Sequence, residues 1–488
     1  VAPMAAAGTV GAVVGKPRRG TSAAWPWPAQ PDGSGRRQGA MKTKLAALLS
    51  LVVALAACGP GATTGPGATT GPGATTGAGP STGAGPSTSG DLSLARADVP
   101  RASAAPGDAA AAGTAIAAFG LDLYRVIAPA SPNVVLSPAS IALALGMARA
   151  GSRGETATEM DAVMHALGSD EHAAWLNALD AALAARSGTF EDAAGNDLAV
   201  TLRIANAPFA QQGMPLQPAY LEALAARYGA GLRLVDYVAD TEAARRAINA
   251  WVDEQTEERI PELLVPGILT PLSRLTLVNA IYLKAPWLEA FPADATAPGP
   301  FARADGSTVE VPLMTTTAAM RHASGPGWQA VEIPYVGGSL AMTIIVPADL
   351  AAFQAALTAD RLAAITASLA DAEVALTLPR FSIETKAQLA DVLAALGMPS
   401  AFDDRADFSG ITTAEQLAIS DVIHQANIDV DEKGTEAAAA TAVVLRTMGN
   451  PPEPVTVRAD RPFLFALRDV PTGAILFLGR VGDPSITR

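Results

Sequence analysis

The feature that most restricts what this chain can fold into is a break in composition near residue 106. Before it, Gly, Pro, Thr, Ser and Ala dominate; after it, apolar residues recur at the spacings of helices and strands. From Gly59 the sequence Gly61-Ala62-Thr63-Thr64-Gly65-Pro66 repeats at Gly67 and in part at Gly73, and Gly-Ala-Gly-Pro-Ser-Thr units follow. A segment with so little apolar bulk cannot offset its ordering entropy, so residues 58–106 are expected to form a flexible tether. Its glycine spacing is not that of a phosphate loop, because no Gly-Lys-Ser/Thr follows. A core has to come from residues 107–488, long for one domain but within range.

Ahead of the tether, Met41-Lys42-Thr43-Lys44 begins a charged segment, and the apolar run Leu45 to Ala57 ends at Cys58. This is the order of a signal peptide, with an apolar run too short for a mature membrane span. The end of the run, Leu55-Ala56-Ala57-Cys58, resembles the lipobox of bacterial lipoproteins, in which the cysteine is lipidated and becomes the mature N-terminus. The alternative is an ordinary signal peptide with a chance cysteine. Residues 1–40, rich in Pro, Gly and Arg, precede this complete signal and are expected to be a disordered over-extension of the reading frame. The domain is therefore expected outside the cytoplasm, at the cell surface or in the periplasm, held to a membrane through Cys58.

Composition removes several functions. A net charge of −13 argues against a nucleic-acid partner, which needs clustered Lys and Arg. One cysteine and four histidines (His165, His172, His322, His424) leave too few soft ligands for a zinc cluster and allow no internal disulfide. No metal or cofactor is expected. Helical spacing at Ile141 to Ala150 and Thr241 to Glu258, and strand-like runs at Leu275 to Leu283, Ala341 to Val346, Val374 to Leu378 and Ala474 to Gly479, indicate an α+β fold.

Four stretches in order carry a resemblance that covers essentially all of residues 107–488. They are Asn133-Val-Val-Leu-Ser137-Pro138-Ala-Ser140-Ile141; Leu277-Val278-Asn279-Ala280-Ile281-Tyr282-Leu283-Lys284 with Trp287 and Phe291; Asp429 to Ala442; and Asp460-Arg461-Pro462-Phe463-Leu464-Phe465 with Gly473 to Gly479 behind it. Together they resemble the serpin family. The resemblance implies about nine helices around three β-sheets with an exposed reactive loop, and a monomer that inhibits serine proteases. In that mechanism the protease serine attacks a loop carbonyl, and the freed loop inserts into the central sheet before the acyl-enzyme hydrolyses. About fourteen inserted residues at ~3.3 Å each carry the attached protease roughly 45 Å.

The resemblance also assigns residues. The hinge is Glu432, Gly434, Thr435, Glu436, Ala437, Ala438, Ala439, Ala440, Thr441 and Ala442. Ser137, Ser140, Asn279, His424 and Trp287 correspond to a cluster where the sheet opens, and Arg380 to the partner of Glu432 at the loop base. The cleaved bond counts to Met448-Gly449, which implies an elastase-, chymotrypsin- or subtilisin-like target. Met448 lies a few residues farther from Pro462 than is usual in the family; the rival bond is Arg446-Thr447, which implies a trypsin-like target. Asp170 to Arg186, where some members bind polyanions, holds a single Arg, so no such activation is expected.

The hinge residues have their own chemistry. Glu436 followed by four alanines favours a helix, with Thr435 as its N-cap. As a strand, Thr435, Ala437, Ala439, Thr441, Val443 and Leu445 share one face, and none is charged. A segment that must slide between two strands needs that property, because burying an unpaired charge is prohibitive. In the uncleaved protein Thr435 is expected at an exposed loop base, with Glu436 pointing outward. The enzyme alternative finds no Gly-x-Ser-x-Gly in the domain. A non-inhibitory, ligand-carrying or chaperone-like serpin is the other alternative, against which the small hinge residues argue.

Overall fold

The computed structural model describes residues 92–105, 107–436 and 453–487. The leader, Cys58, most of the tether, hinge residues Ala437 to Ala442, and Arg446, Thr447, Met448 and Gly449 lie outside the described residues. Among the described residues there are nine α-helices and two large sheets, an α+β architecture.

The first sheet runs, edge to edge, Ser93–Ala95, Leu232–Val235, Asp197–Gln211, Leu275–Pro286, Gly434–Thr435, Val422–Asp431, Phe381–Gln388. Its centre is Leu275–Pro286, which is buried along nearly its whole length because both faces are covered. On one face lies the helix Pro138–Gly151. Ser137 accepts a bond from the Ser140 amide and Pro138 opens the first turn, a strong start signal. Apolar side chains surround this helix on all sides, so it can only be a core element. On the other face the helix Thr241–Gln255, capped by Asp240, sets Ile248 and Val252 against Phe209, Val278 and Ile423.

The second sheet runs Val455–Arg458, Ala370–Pro379, Thr308–Gly325, Trp328–Pro334, Leu340–Pro347, Phe463–Asp469, Ile475–Val481, Val134–Leu136, with Ala297–Ala302 also paired to Thr308–Gly325. One strand of it, the 18-residue Thr308–Gly325, is shared by two groups of strands. It pairs with Ala370–Pro379 as far as His322 and with Trp328–Pro334 from Arg321, so two groups of strands become one continuous ladder.

The expected tether boundary at 106 also moves. Ser93–Ala95 pairs antiparallel with Leu232–Val235, and Arg101 donates to the Asn177 side chain at 2.7 Å and to Asp180 at 2.6 Å. The folded unit therefore includes residues from Leu92 onward. Glycine repeats end before this point, and Leu92 and Ala95 supply apolar side chains that pack against the core at this sheet edge.

Candidate functional site

The two strands at the middle of the first sheet, Leu275–Pro286 and Val422–Asp431, pair directly only over part of their length. Val422 to Ala426 run parallel to Leu277 to Ile281. Above that, Gly434–Thr435 sits between them, with Thr435 opposite both Val430 and Ala285 and Gly434 opposite Asp431 and Pro286. The sheet is a slot, closed below and filled by two residues at its mouth.

Gly434 is dictated by space. Its φ is 147°, and a Cβ there would stand 2.2 Å from the Ala285 carbonyl oxygen. Thr435 is 1% exposed, and its hydroxyl lies 2.7 Å from the Tyr335 hydroxyl. Burial pushes the Tyr335 phenol far above its ordinary range, so it stays neutral. Trp287 stacks on Tyr335 with ring centroids 4.4 Å apart and donates through Nε1 to the Asp431 carbonyl at 3.0 Å. The expectation of an exposed Thr435 is thus incorrect: the hinge starts inside the sheet, because a hydroxyl that finds a buried partner loses little by leaving water.

Glu436 is not a free outward residue either. Its side chain is 4% exposed and its carboxylate lies 3.2 Å from the Arg259 Nε. Its amide donates to the Asp429 carbonyl at 3.2 Å, and its φ of 53° is left-handed. That backbone cannot continue a strand, so the chain leaves the sheet immediately after Thr435.

The loop base is held by Glu432. Arg380 donates to it through Nε at 2.8 and 2.9 Å and through a second nitrogen at 2.5 Å, and the Thr296 hydroxyl adds a bond at 2.5 Å. Burial pushes this carboxyl up, but the bonds from Arg380 and Thr296 outweigh it and hold it below its ordinary range. The described chain resumes after Glu436 at Glu453, just before Val455–Arg458 on the edge of the second sheet.

Below the closed part lies a buried polar network. His424 Nε2 accepts from the Ser137 amide at 3.1 Å, and His424 Nδ1 donates to the Asn279 side-chain oxygen at 2.5 Å. Asn279 Nδ2 donates to the Ser140 hydroxyl at 2.5 Å and to the Asn206 oxygen at 2.7 Å. Asn206 in turn donates to the Ser140 carbonyl at 3.0 Å. The ring accepts a backbone N–H at one nitrogen, so the neutral Nδ1–H tautomer is the one that fits. Burial lowers the His424 pKa to about 3. The network joins both sides of the slot to the buried helix, so parting the strands requires breaking it.

Ser137, Ser140, Asn279 and His424 thus come together in one network, while Trp287 and Arg380 lie at the mouth. Asn206, Tyr335, Thr296 and Arg259 were not anticipated. The only sequence signal for Asn206 was a polar residue inside the apolar run Ile204 to Phe209. Its meaning depends on standing opposite Asn279 in a strand pair that no local pattern specifies.

A large α+β domain with an interrupted central sheet and a loop arising from that interruption is one defined class of architecture. A family model described as "Serpin (serine protease inhibitor)" matches residues 114–484, and the chain belongs to the serpin family. An uncharacterized serpin-like protein of Thermococcus kodakarensis is 40% identical over 375 residues, 76% of this chain and 85% of that protein. Leukocyte elastase inhibitor of Bos taurus is 36% identical over 379 residues, 75% of this chain and 97% of that protein. Among solved structures, uncleaved ovalbumin superposes with a TM-score of 0.67 at 26% identity, covering 77% of this chain and all of that one. The thermophilic serpin Tengpin in its native state gives 0.70 at 24% identity, covering 80% and 100%, a likeness of fold.

Proposed function

We propose that this protein inhibits serine proteases as a suicide substrate, and is not itself an enzyme. The observation that carries the reading is the position of Gly434 and Thr435, two loop residues already paired as a strand between Val422–Asp431 and Leu275–Pro286. Cleavage after Met448, or after Arg446, frees the rest of the loop. Thr435 fixes the parity: with its side chain inward toward Tyr335, alternation assigns Ala437, Ala439 and Thr441 to the same buried face. The residues still to be buried are then small and uncharged. Insertion has to unmake the left-handed turn at Glu436, the Glu436–Arg259 pair and the His424–Asn279 network, which together oppose premature closure. The acyl-enzyme, dragged along with the inserting strand, loses the alignment that deacylation needs. Similarity to leukocyte elastase inhibitor and the Met448-Gly449 count both favour an elastase-, chymotrypsin- or subtilisin-like target over a trypsin-like one.

The test is incubation of the protein with a panel of active serine proteases, followed by denaturing electrophoresis. A covalent complex resistant to SDS is expected with at least one enzyme, and mass analysis of the released fragment locates the cleaved bond. Cleavage without complex formation across the panel replaces this reading with the non-inhibitory one.

We further propose that Cys58 is lipidated and that the protein acts as a monomer outside the cytoplasm, tethered to a membrane. Several acyl chains on one cysteine are needed for stable anchoring. Cys58→Ser is expected to move the protein from the membrane fraction to the soluble one. Membrane association that survives the substitution removes this part of the proposal.

A further inference from the structure

A recess of about 550 Å³ lies on the second sheet, where Thr308–Gly325 passes between Ala370–Pro379 and Trp328–Pro334. Its floor is apolar, made by Ala319, Met320, Pro334 and Ala372. Pro334 accepts from the Leu288 amide at 2.9 Å, and the preceding residue, Trp287, donates its amide to the Lys433 carbonyl at the mouth of the slot. At the other side Val374, two residues beyond Ala372, stands opposite Val455, where the described chain has resumed. The recess therefore lies between the point where the hinge leaves the first sheet and the point where the chain reaches the second.

Its rim is acidic. Asp371 and Glu373 line it, and Glu289, next but one after Trp287, is close enough to Glu373 to feel its charge. None of the three has an ion-pair partner among the described residues. Arg321, which stands opposite Asp371 in the strand pairing, is turned instead to the Glu332 carboxylate at 2.7 Å and the Leu369 carbonyl at 2.9 Å. Burial, and then the neighbouring Glu373 carboxylate, push the Glu289 carboxyl above its ordinary range. Like charges held together without a cation between them repel, and a cation placed there would relieve both. An apolar floor under an acidic rim is complementary to a long apolar stem that ends in a positive charge.

We propose that this recess is a second contact for the target protease, in which a Lys or Arg of the protease surface lays its stem on Met320 and Ala372 and sets its charge between Glu289 and Glu373. The proposal rests on the inhibitory reading above and adds to it a class of target, a serine protease with a basic surface beside its active site. Both candidate bonds lie within seven residues of Glu453, so at ~3.6 Å per residue no more than about 25 Å of chain separates them from it. A protease domain of ~200 residues has a radius of gyration of roughly 16 Å, so one seated on either bond reaches the recess. Charges at the rim of a contact act mainly on the rate of encounter, so the recess speeds association and leaves the later race between insertion and hydrolysis unchanged.

The experiment measures the rate of SDS-resistant complex formation, as a function of salt, with the proteases of net positive charge in the panel. The full-length protein is compared with Glu289→Gln/Glu373→Gln and with Glu310→Gln, an exposed acid near the other end of Thr308–Gly325. At low ionic strength the double variant is expected to associate about tenfold more slowly than the parent, and the gap to close as salt rises. The number of inhibitor molecules consumed per protease trapped should stay the same, and Glu310→Gln should behave as the parent does. Equal rates at low salt, a deficit that salt does not reduce, or a loss of the same size in Glu310→Gln overturns the proposal and leaves the inhibitory reading standing. Absence of complex with every protease of the panel removes that reading itself, and this contact with it.

Discussion

His424 shows how a single buried side chain reports on the state of the sheet. Its ordinary pKa of 6.5 falls to about 3 because burial removes water from the charged form. A proton added to Nε2 would meet the Ser137 amide donor head-on. The folded value is the lower one, so between pH 6.5 and 3 the unfolded chain holds the extra proton and stability falls as pH falls. One such group contributes a slope of up to about 1.4 kcal/mol per pH unit in that window. His172, also buried and lowered to about 4, adds a second. The thermal midpoint is therefore expected to hold between pH 8 and 7 and to drop below about 6.5. His424→Gln, less stable at pH 7, should show a shallower drop between pH 6.5 and 5, since one linked proton is gone. Equal slopes in the two proteins would mean that His424 does not carry the linkage. At this scale the sequence was partly legible. Ser140, Asn279 and His424 stood out through resemblance, while Asn206 and Tyr335 stayed hidden because their partners lie 73 and 100 residues away.

At the scale of the element, the hinge stretch from Gly434 is where local preference and tertiary context disagree. Its alanine run favours helix, yet Gly434–Thr435 is a strand, because the slot offers two ladders of unpaired backbone groups and a partner for the threonine hydroxyl. The alternation of small residues was readable from the sequence. The point at which the strand Gly434–Thr435 ends was not, because it is set by the pair with Arg259 and the left-handed turn at Glu436. The burial of Thr435 decides which substitution tests the mechanism. Thr435→Arg would bury an unpaired guanidinium in the uncleaved protein and destabilise it by several kcal/mol before any protease arrives. Ala439→Arg, four residues on and on the same strand face, avoids that difficulty. It should leave the thermal midpoint of the uncleaved protein unchanged while adding a burial penalty to insertion, and every ~1.4 kcal/mol in that barrier slows insertion tenfold. The variant is expected to be cleaved without trapping. Ala438→Arg, on the opposite face, should trap within a fewfold of the parent. If Ala439→Arg forms stable complex as well as the parent does, the loop does not insert in this register.

For the whole molecule, the central sheet can accept a strand only if its two halves separate, so whatever ties its outer edge to the helices affects how readily it parts. The 92–105 segment is such a tie. Ser93–Ala95 extends the sheet past Leu232–Val235, while Arg101 reaches the helix Ser169–Ala184 through Asn177 and Asp180, and the Ala102 amide donates to the Ala226 carbonyl at 2.7 Å. The fold class was visible in the mixed periodicity, but this addition was not, since three residues of edge strand give no periodic signal and the Gly/Pro-rich repeats before them suggested a tether throughout. The Arg101–Asp180 pair, about a third exposed on both sides, contributes little by itself. The strand pairing and the bonds to Asn177 bring the sum to about 1–3 kcal/mol. Two shortened proteins separate this contribution from that of the tether, one beginning at Leu92 and the other at Gly107. The first is expected to melt with the full-length protein and the second a few degrees lower. Arg101→Ala in the longer form should account for part of the difference, since it removes the helix contacts and keeps the strand. Coincident melting of the two shortened proteins would mean that the segment rests on the sheet without holding it.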